Sequence, residues 1–87
     1  MIVTNHAIEK WRERTGSKYS EEKVVKKILT GVYTGKEVFP KGKYKVLKLL
    51  RHKCEPAKYV YNWGLIFVVV GKHIVTVHKN DVGEFEL

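Results

Sequence analysis

Six apolar residues in a row, Leu65-Ile66-Phe67-Val68-Val69-Val70, dominate the hydropathy pattern. A largely β-branched run of this length predicts a strand covered on both faces. After Gly71-Lys72 the pattern alternates. Val75 and Val77 are expected to point one way, and Ile74, Thr76 and His78 the other. Gly71 stands first in a two-residue loop, as a II′ turn requires, so the stretch reads as a central hairpin. Nearer the start of the chain the period lengthens to that of a helix. Ala7, Ile8, Trp11 and Thr15 fall in one arc of a helix predicted over 6–15, and His6, Lys10 and Arg14 in another. Thr4 or Asn5 caps it and Gly16 stops it. Ser20 and the acidic pair Glu21-Glu22 open a second helix, whose apolar stripe is Val24, Val25, Ile28, Leu29 and Val32. Lys23, Lys26 and Lys27 take its other side, and Gly31 is read as its end.

From Gly35 onward strands are predicted over 37–39, 44–50 and 58–62, with Tyr59 and Tyr61 on one face of the last and Val60 on the other. Asn62-Trp63-Gly64 turns the chain into the central hairpin. Residues 2–4 and the tail 80–87 are candidate edge strands. The expected architecture is α+β, with two N-terminal helices packed on one face of a four- to five-stranded antiparallel sheet. Thr76 and His78 are then left on the opposite, more open face or at the sheet's rim. Eighty-seven residues form a single domain, 1–87, with one modest core.

Charge changes the picture. Seventeen Lys and Arg stand against nine Asp and Glu, a formal +8 with a pI near 9.7. Polyanions are the natural partners of such a surface, through steering and counterion release. The stretch from Lys36 to Lys58 alone carries eight basic residues against Glu37 and Glu55. Cys54 is the only cysteine, so no internal disulfide forms and a reducing compartment fits. The first residues lack a signal-peptide pattern and no apolar run spans a bilayer, so a cytoplasmic protein without a membrane partner is expected.

Candidate chemistry follows from what RNA cleavage without a metal needs. A base takes the ribose 2′-proton, cations stabilise the phosphorane, and an acid protonates the leaving 5′-oxygen. His6 and His78 are the candidate acid and base, with Arg14 and Thr76 beside them and Lys10 and Lys45 as substrate-binding cations. The expectation requires both imidazoles to share one cationic cleft. Tyr59 and Tyr61 are candidate stacking rings for bases, whereas Trp63 and Phe67 read as core. His73, beside the turn, reads as a surface residue. His52 and Cys54 have no second ligand pair after them, so no metal site is expected. There is no phosphate-binding Gly-rich loop and no nucleophile elbow, and no cofactor is expected.

The order His6-Ala7…Arg14, then Ser20-Glu21-Glu22-Lys23-Val24-Val25…Ile28-Leu29…Gly31, then Ile74-Val75-Thr76-Val77-His78, resembles a family of small bacterial and phage proteins. That family is grouped with the RelE-like (barnase–EndoU–colicin–RelE) ribonucleases, many of them toxins of toxin–antitoxin pairs. The resemblance covers residues 4 to 79. It implies a metal-independent endoribonuclease, with RNA as substrate and an acidic antitoxin-like protein as partner. By it His6, Arg14 and Thr76 match characteristic polar positions, Lys10 stands where a cation is common, and His78 replaces an aromatic residue. The alternative is a non-catalytic, basic nucleic-acid-binding module of a phage or mobile element.

Overall fold

A computed structural model describes residues 1–40, 57–79 and 85–86 of the chain. The expected strand at 44–50, and with it Lys45, His52 and Cys54, lies outside the described residues. The described elements are β1 (Ile2–Val3), α1 (Asn5–Thr15), α2 (Glu21–Thr34), β2 (Lys36–Pro40), β3 (Ala57–Asn62), β4 (Leu65–Val70), β5 (His73–Lys79) and β6 (Phe85–Glu86). The α+β architecture is as expected, with both helices packed against the sheet.

The strand order is β1-β5-β4-β3-β2-β6. The sheet is mixed rather than purely antiparallel. β1 runs parallel to β5, with Ile2 opposite His73 and Val3 opposite Ile74. The chain touches the sheet edge for two residues and turns at once into α1. Thr4 makes that turn. Its amide donates to the Ile74 carbonyl at 3.1 Å, and its side chain accepts from the Ala7 amide at 3.2 Å as the N-cap of α1. Gly16 ends α1 in the left-handed conformation, φ 67°.

β4 is covered on both faces. Leu65, Phe67 and Val69 join Ala7, Ile8, Trp11, Val24, Ile28, Val60, Ile74 and Val77 in a core beneath the helices. Ile66 and Val68 join Val38 and Tyr59 in a second cluster on the other face, fringed by Ala57, Tyr61, Val70 and Val75. The face expected to be the more open one is therefore packed as well. Each large side chain fully buried in these clusters contributes roughly 1.5–3 kcal/mol.

The pairing of β4 with β5 contains a bulge. Val69 faces Ile74 and Val68 faces Thr76, so Val75 is the extra residue. Strict alternation would put Ile74 with Thr76 and His78. The bulge instead sends Ile74 to the helix side with Val77, and leaves Val75 with Thr76 and His78.

Gly31 does not end α2; the helix runs on to Thr34. Glycine stands there for room. A Cβ at Gly31 would lie 2.7 Å from the Phe67 ring and 2.9 Å from the Trp63 ring. At Gly35 a Cβ would run into the Val60 side chain and lie 2.7 Å from the Gly31 carbonyl oxygen. Gly31→Ala thus sets a helix-propensity gain of about 1 kcal/mol against overpacking of about 1–3 kcal/mol. We expect Gly31→Ala to lower the urea midpoint, with unfolding easier by up to about 2 kcal/mol. A variant more stable than the parent would show that the rings yield freely.

Candidate nucleic-acid interface

The structure sorts the sequence-derived site residues into two groups on opposite faces of the sheet. His6, Lys10 and Arg14 lie on α1, in the helix layer. His6 is exposed in the first turn. Lys10 Nζ pairs with Glu13 at 3.2 Å, and Arg14 reaches the same carboxylate at 4.0 Å. The Arg14 Nε and the Trp11 Nε1, one turn apart, are both buried and find no hydrogen-bond partner among the described residues.

Thr76, His78, Tyr59 and Tyr61 share the face away from the helices. Strand register sets them in two neighbouring rows. One row reads Val38, Tyr59, Val68, Thr76; the next reads Lys36, Tyr61, Ile66, His78. With strands about 4.8 Å apart, His78 and Tyr61 stand roughly 10 Å from each other across Ile66. Lys45, the remaining substrate-binding candidate, is outside the described residues.

The cleft expected to hold His6 and His78 together does not form. The chain enters α1 where Thr4 bonds Ile74, four residues and about 13 Å along β5 from His78. The sheet itself lies between the two rings. Tyr59 is 5% exposed and packs in the second cluster, so its ring is not open to a base. Tyr61 is half-buried beside it. Trp63, expected in the core, is 53% exposed, because the hairpin tip carries it past the end of the sheet. Lys36 was missed as a candidate. The signal was its two-residue step from Val38, which puts it in register with Tyr61.

The His78 ring has a defined orientation. Its Nδ1 lies 3.1 Å from the Lys79 carbonyl oxygen. A carbonyl only accepts, so in the neutral ring Nδ1 carries the proton and Nε2 the lone pair. That Nε2 is buried, which keeps it from a strand lying on the surface in this conformation. Among the described residues, no cluster of three or more His, Cys, Asp or Glu side chains is placed to hold a metal ion. No described helix is long and apolar enough to cross a membrane.

Fold and rows together define a small basic α+β domain with polar groups toward the margins of a sheet whose central strand is buried on both faces. Comparison with protein-family models, with curated proteins and with solved structures finds no match for this chain.

Thr4 holds the geometry of the bulged strand. Its hydroxyl lies 3.1 Å from the Ile74 carbonyl and 3.2 Å from the Val75 carbonyl, the latter belonging to the extra residue. Removing the hydroxyl takes away a helix cap, worth about 1 kcal/mol, and the one proton it can give to the Ile74 or the Val75 carbonyl, worth about 1–2 kcal/mol more. We expect Thr4→Ala to destabilise the fold by about 2–3 kcal/mol, measured by chemical denaturation. Thr4→Ser keeps the oxygen and should recover most of that loss; equal losses in both variants would show that the hydroxyl matters little.

Proposed function

We propose that this protein is an RNA-binding domain that recognises its ligand through cationic surfaces rather than through a two-histidine catalytic cleft. The observation that supports it is the excess of unpaired positive charge. Against a formal +8, the ion pairs among the described residues are Lys10 and Arg14 with Glu13, and Lys58 with Glu37. Most basic side chains on the described surface are left to solvent or to a polyanion. Phosphate contacts need no enclosed pocket, and they suit a fold packed on both sheet faces. A single cysteine fits a cytoplasmic setting. The same charge suits an acidic antitoxin-like protein as a second partner.

A second reading is metal-independent RNA cleavage, in keeping with the resemblance to RelE-like ribonucleases. The placement of His78 and Thr76 two residues apart on one sheet face favours it. This route needs the ring to become accessible, and it uses one histidine where two were expected.

One set of measurements tests both. Binding of a single-stranded RNA 12-mer, followed by anisotropy, should weaken steeply with added NaCl. Contacts to about four phosphates give a log–log slope near −3. Absence of binding, or binding indifferent to salt, would overturn the assignment. In EDTA the binding reading expects labelled RNA to stay intact. Cleavage that falls a hundredfold or more in His78→Ala, but is unchanged in His6→Ala, would replace it with the nuclease reading.

A further inference from the structure

Trp63 occupies a backbone conformation that bulky side chains avoid. Its φ is 53°, and Gly64 follows at 74°, so both central residues of the β3–β4 turn are left-handed. Asn-Gly commonly fills such a turn, and a large non-glycine residue there costs on the order of 1–2 kcal/mol. The surroundings are shaped to keep the ring in place. It packs edge-on against Trp11, centroids 6.0 Å apart, and against Phe67 at 6.4 Å. Gly31 supplies the space beneath it. The preceding Asn62 donates its amide to the Gly31 carbonyl at 3.1 Å and to Thr34 Oγ1 at 3.0 Å, fixing the turn to α2. Yet half of the ring stays open, whereas Trp11 beside it is 6% exposed. A ring needed only to close the core has no reason to sit strained and half-bare at a tip.

The outer face of α2 leads to that ring. At 100° per residue, Lys23, Lys27, Thr30 and Thr34 fall within about 60° of one another, with Lys26 and Tyr33 flanking them. All six are exposed. Among the described residues none of the three lysines pairs with a carboxylate. Lys23 Nζ instead lies 4.1 Å over the exposed Tyr19 ring. Lys23 and Lys27, one turn apart, are separated by about 6 Å. Thr34 closes the column and touches Asn62, next to Trp63. Cations in a line that ends at an open, rigid aromatic face match one ligand chemistry: a charged backbone with an unstacked base. A duplex hides its base faces and offers nothing to the ring.

We propose that the lysine column of α2 and the Trp63 ring form a track for single-stranded RNA, with phosphates on Lys23 and Lys27 and a base stacked on Trp63. This assignment rests on the RNA-binding reading and gives it a surface, one distinct from the Thr76 and His78 rows.

The test uses the full chain and a fluorescein-labelled, single-stranded 2′-O-methyl RNA 12-mer, which lacks the free 2′-hydroxyl that cleavage requires. Lys23→Gln/Lys27→Gln should weaken binding and lower the magnitude of the salt slope by about 1.4, or 0.7 per phosphate. Trp63→Leu should weaken binding about tenfold with the slope unchanged, and should abolish the quench of tryptophan emission that RNA produces in the parent. Trp63→Phe keeps a ring and should retain most of the affinity, which separates stacking from any loss of fold. If the parent fails to bind this RNA, the RNA-binding reading falls and the track with it. If the parent binds and these variants bind equally well, the track alone is overturned. A duplex of the same sequence binding as tightly, or phosphatidylserine vesicles binding through Lys23 and Lys27 while RNA leaves Trp63 emission unchanged, would also overturn it.

Discussion

A strand with apolar side chains on both faces must be covered twice, and β4 imposes that constraint on everything around it. Leu65, Phe67 and Val69 draw both helices onto one side. Ile66 and Val68 are buried on the other, in one same-face cluster with Val38 and Tyr59 of the neighbouring strands. Exposing either row would forfeit several kcal/mol in a domain whose whole margin is of order 5–15 kcal/mol. The polar groups of the sheet are thereby displaced to its periphery. Thr76 and His78 lie on β5, outside the strand that is buried most completely, and Lys36 lies two strands away on the opposite flank.

β5 meets two demands that strict alternation cannot satisfy together. Near its start Ile74 must point at the helices, where it is fully buried. Farther on, Val77 must do the same, an odd number of residues later. One inserted residue, Val75, reconciles them. Its side chain turns to the second cluster, while its carbonyl meets the hydroxyl of Thr4. The same hydroxyl oxygen caps α1. One threonine therefore ties the first helix to the bulge that determines which way Thr76 and His78 face.

Features carried by local chemistry were legible in the sequence. A first-helix cap at Thr4 or Asn5, the cap at Ser20, the stop at Gly16, the turns at 62–64 and 71–72 and the apolar run of β4 all depend on neighbours in the chain. Misreadings arose where a distant contact overrode the local signal. Gly31 looks like a helix terminator, but it is there because the Phe67 and Trp63 rings, more than thirty residues away, leave no room for a Cβ. Trp63 looks like core because it is large, yet its place in the turn leaves it half-exposed. The facing of Ile74 follows from an inserted residue that no two-residue pattern reveals. The site was less legible for the same reason. Thr76 and His78 were correctly put on one face, since they are two apart beyond the bulge. Chemical plausibility and the family resemblance tie His6 to them, but no local pattern does, and the sheet stands between.

Closing both sheet faces also constrains the kind of recognition the molecule can offer. A ligand that must be engulfed would have to open one of the two clusters and expose the apolar rows of β4. A polyanion asks for less. Its phosphates can be met by side chains that stand outside the packed layers, and lysines on a helix surface keep their charge hydrated until contact is made. Rigidity then comes from the core beneath. α2 is seated by Val24 and Ile28, both fully buried, so its outward lysines project from a fixed platform. The strained turn at Trp63 is braced against that same helix. The apolar pattern that makes the fold stable thus also confines recognition to the exterior, and the basic composition supplies the charge that such recognition needs.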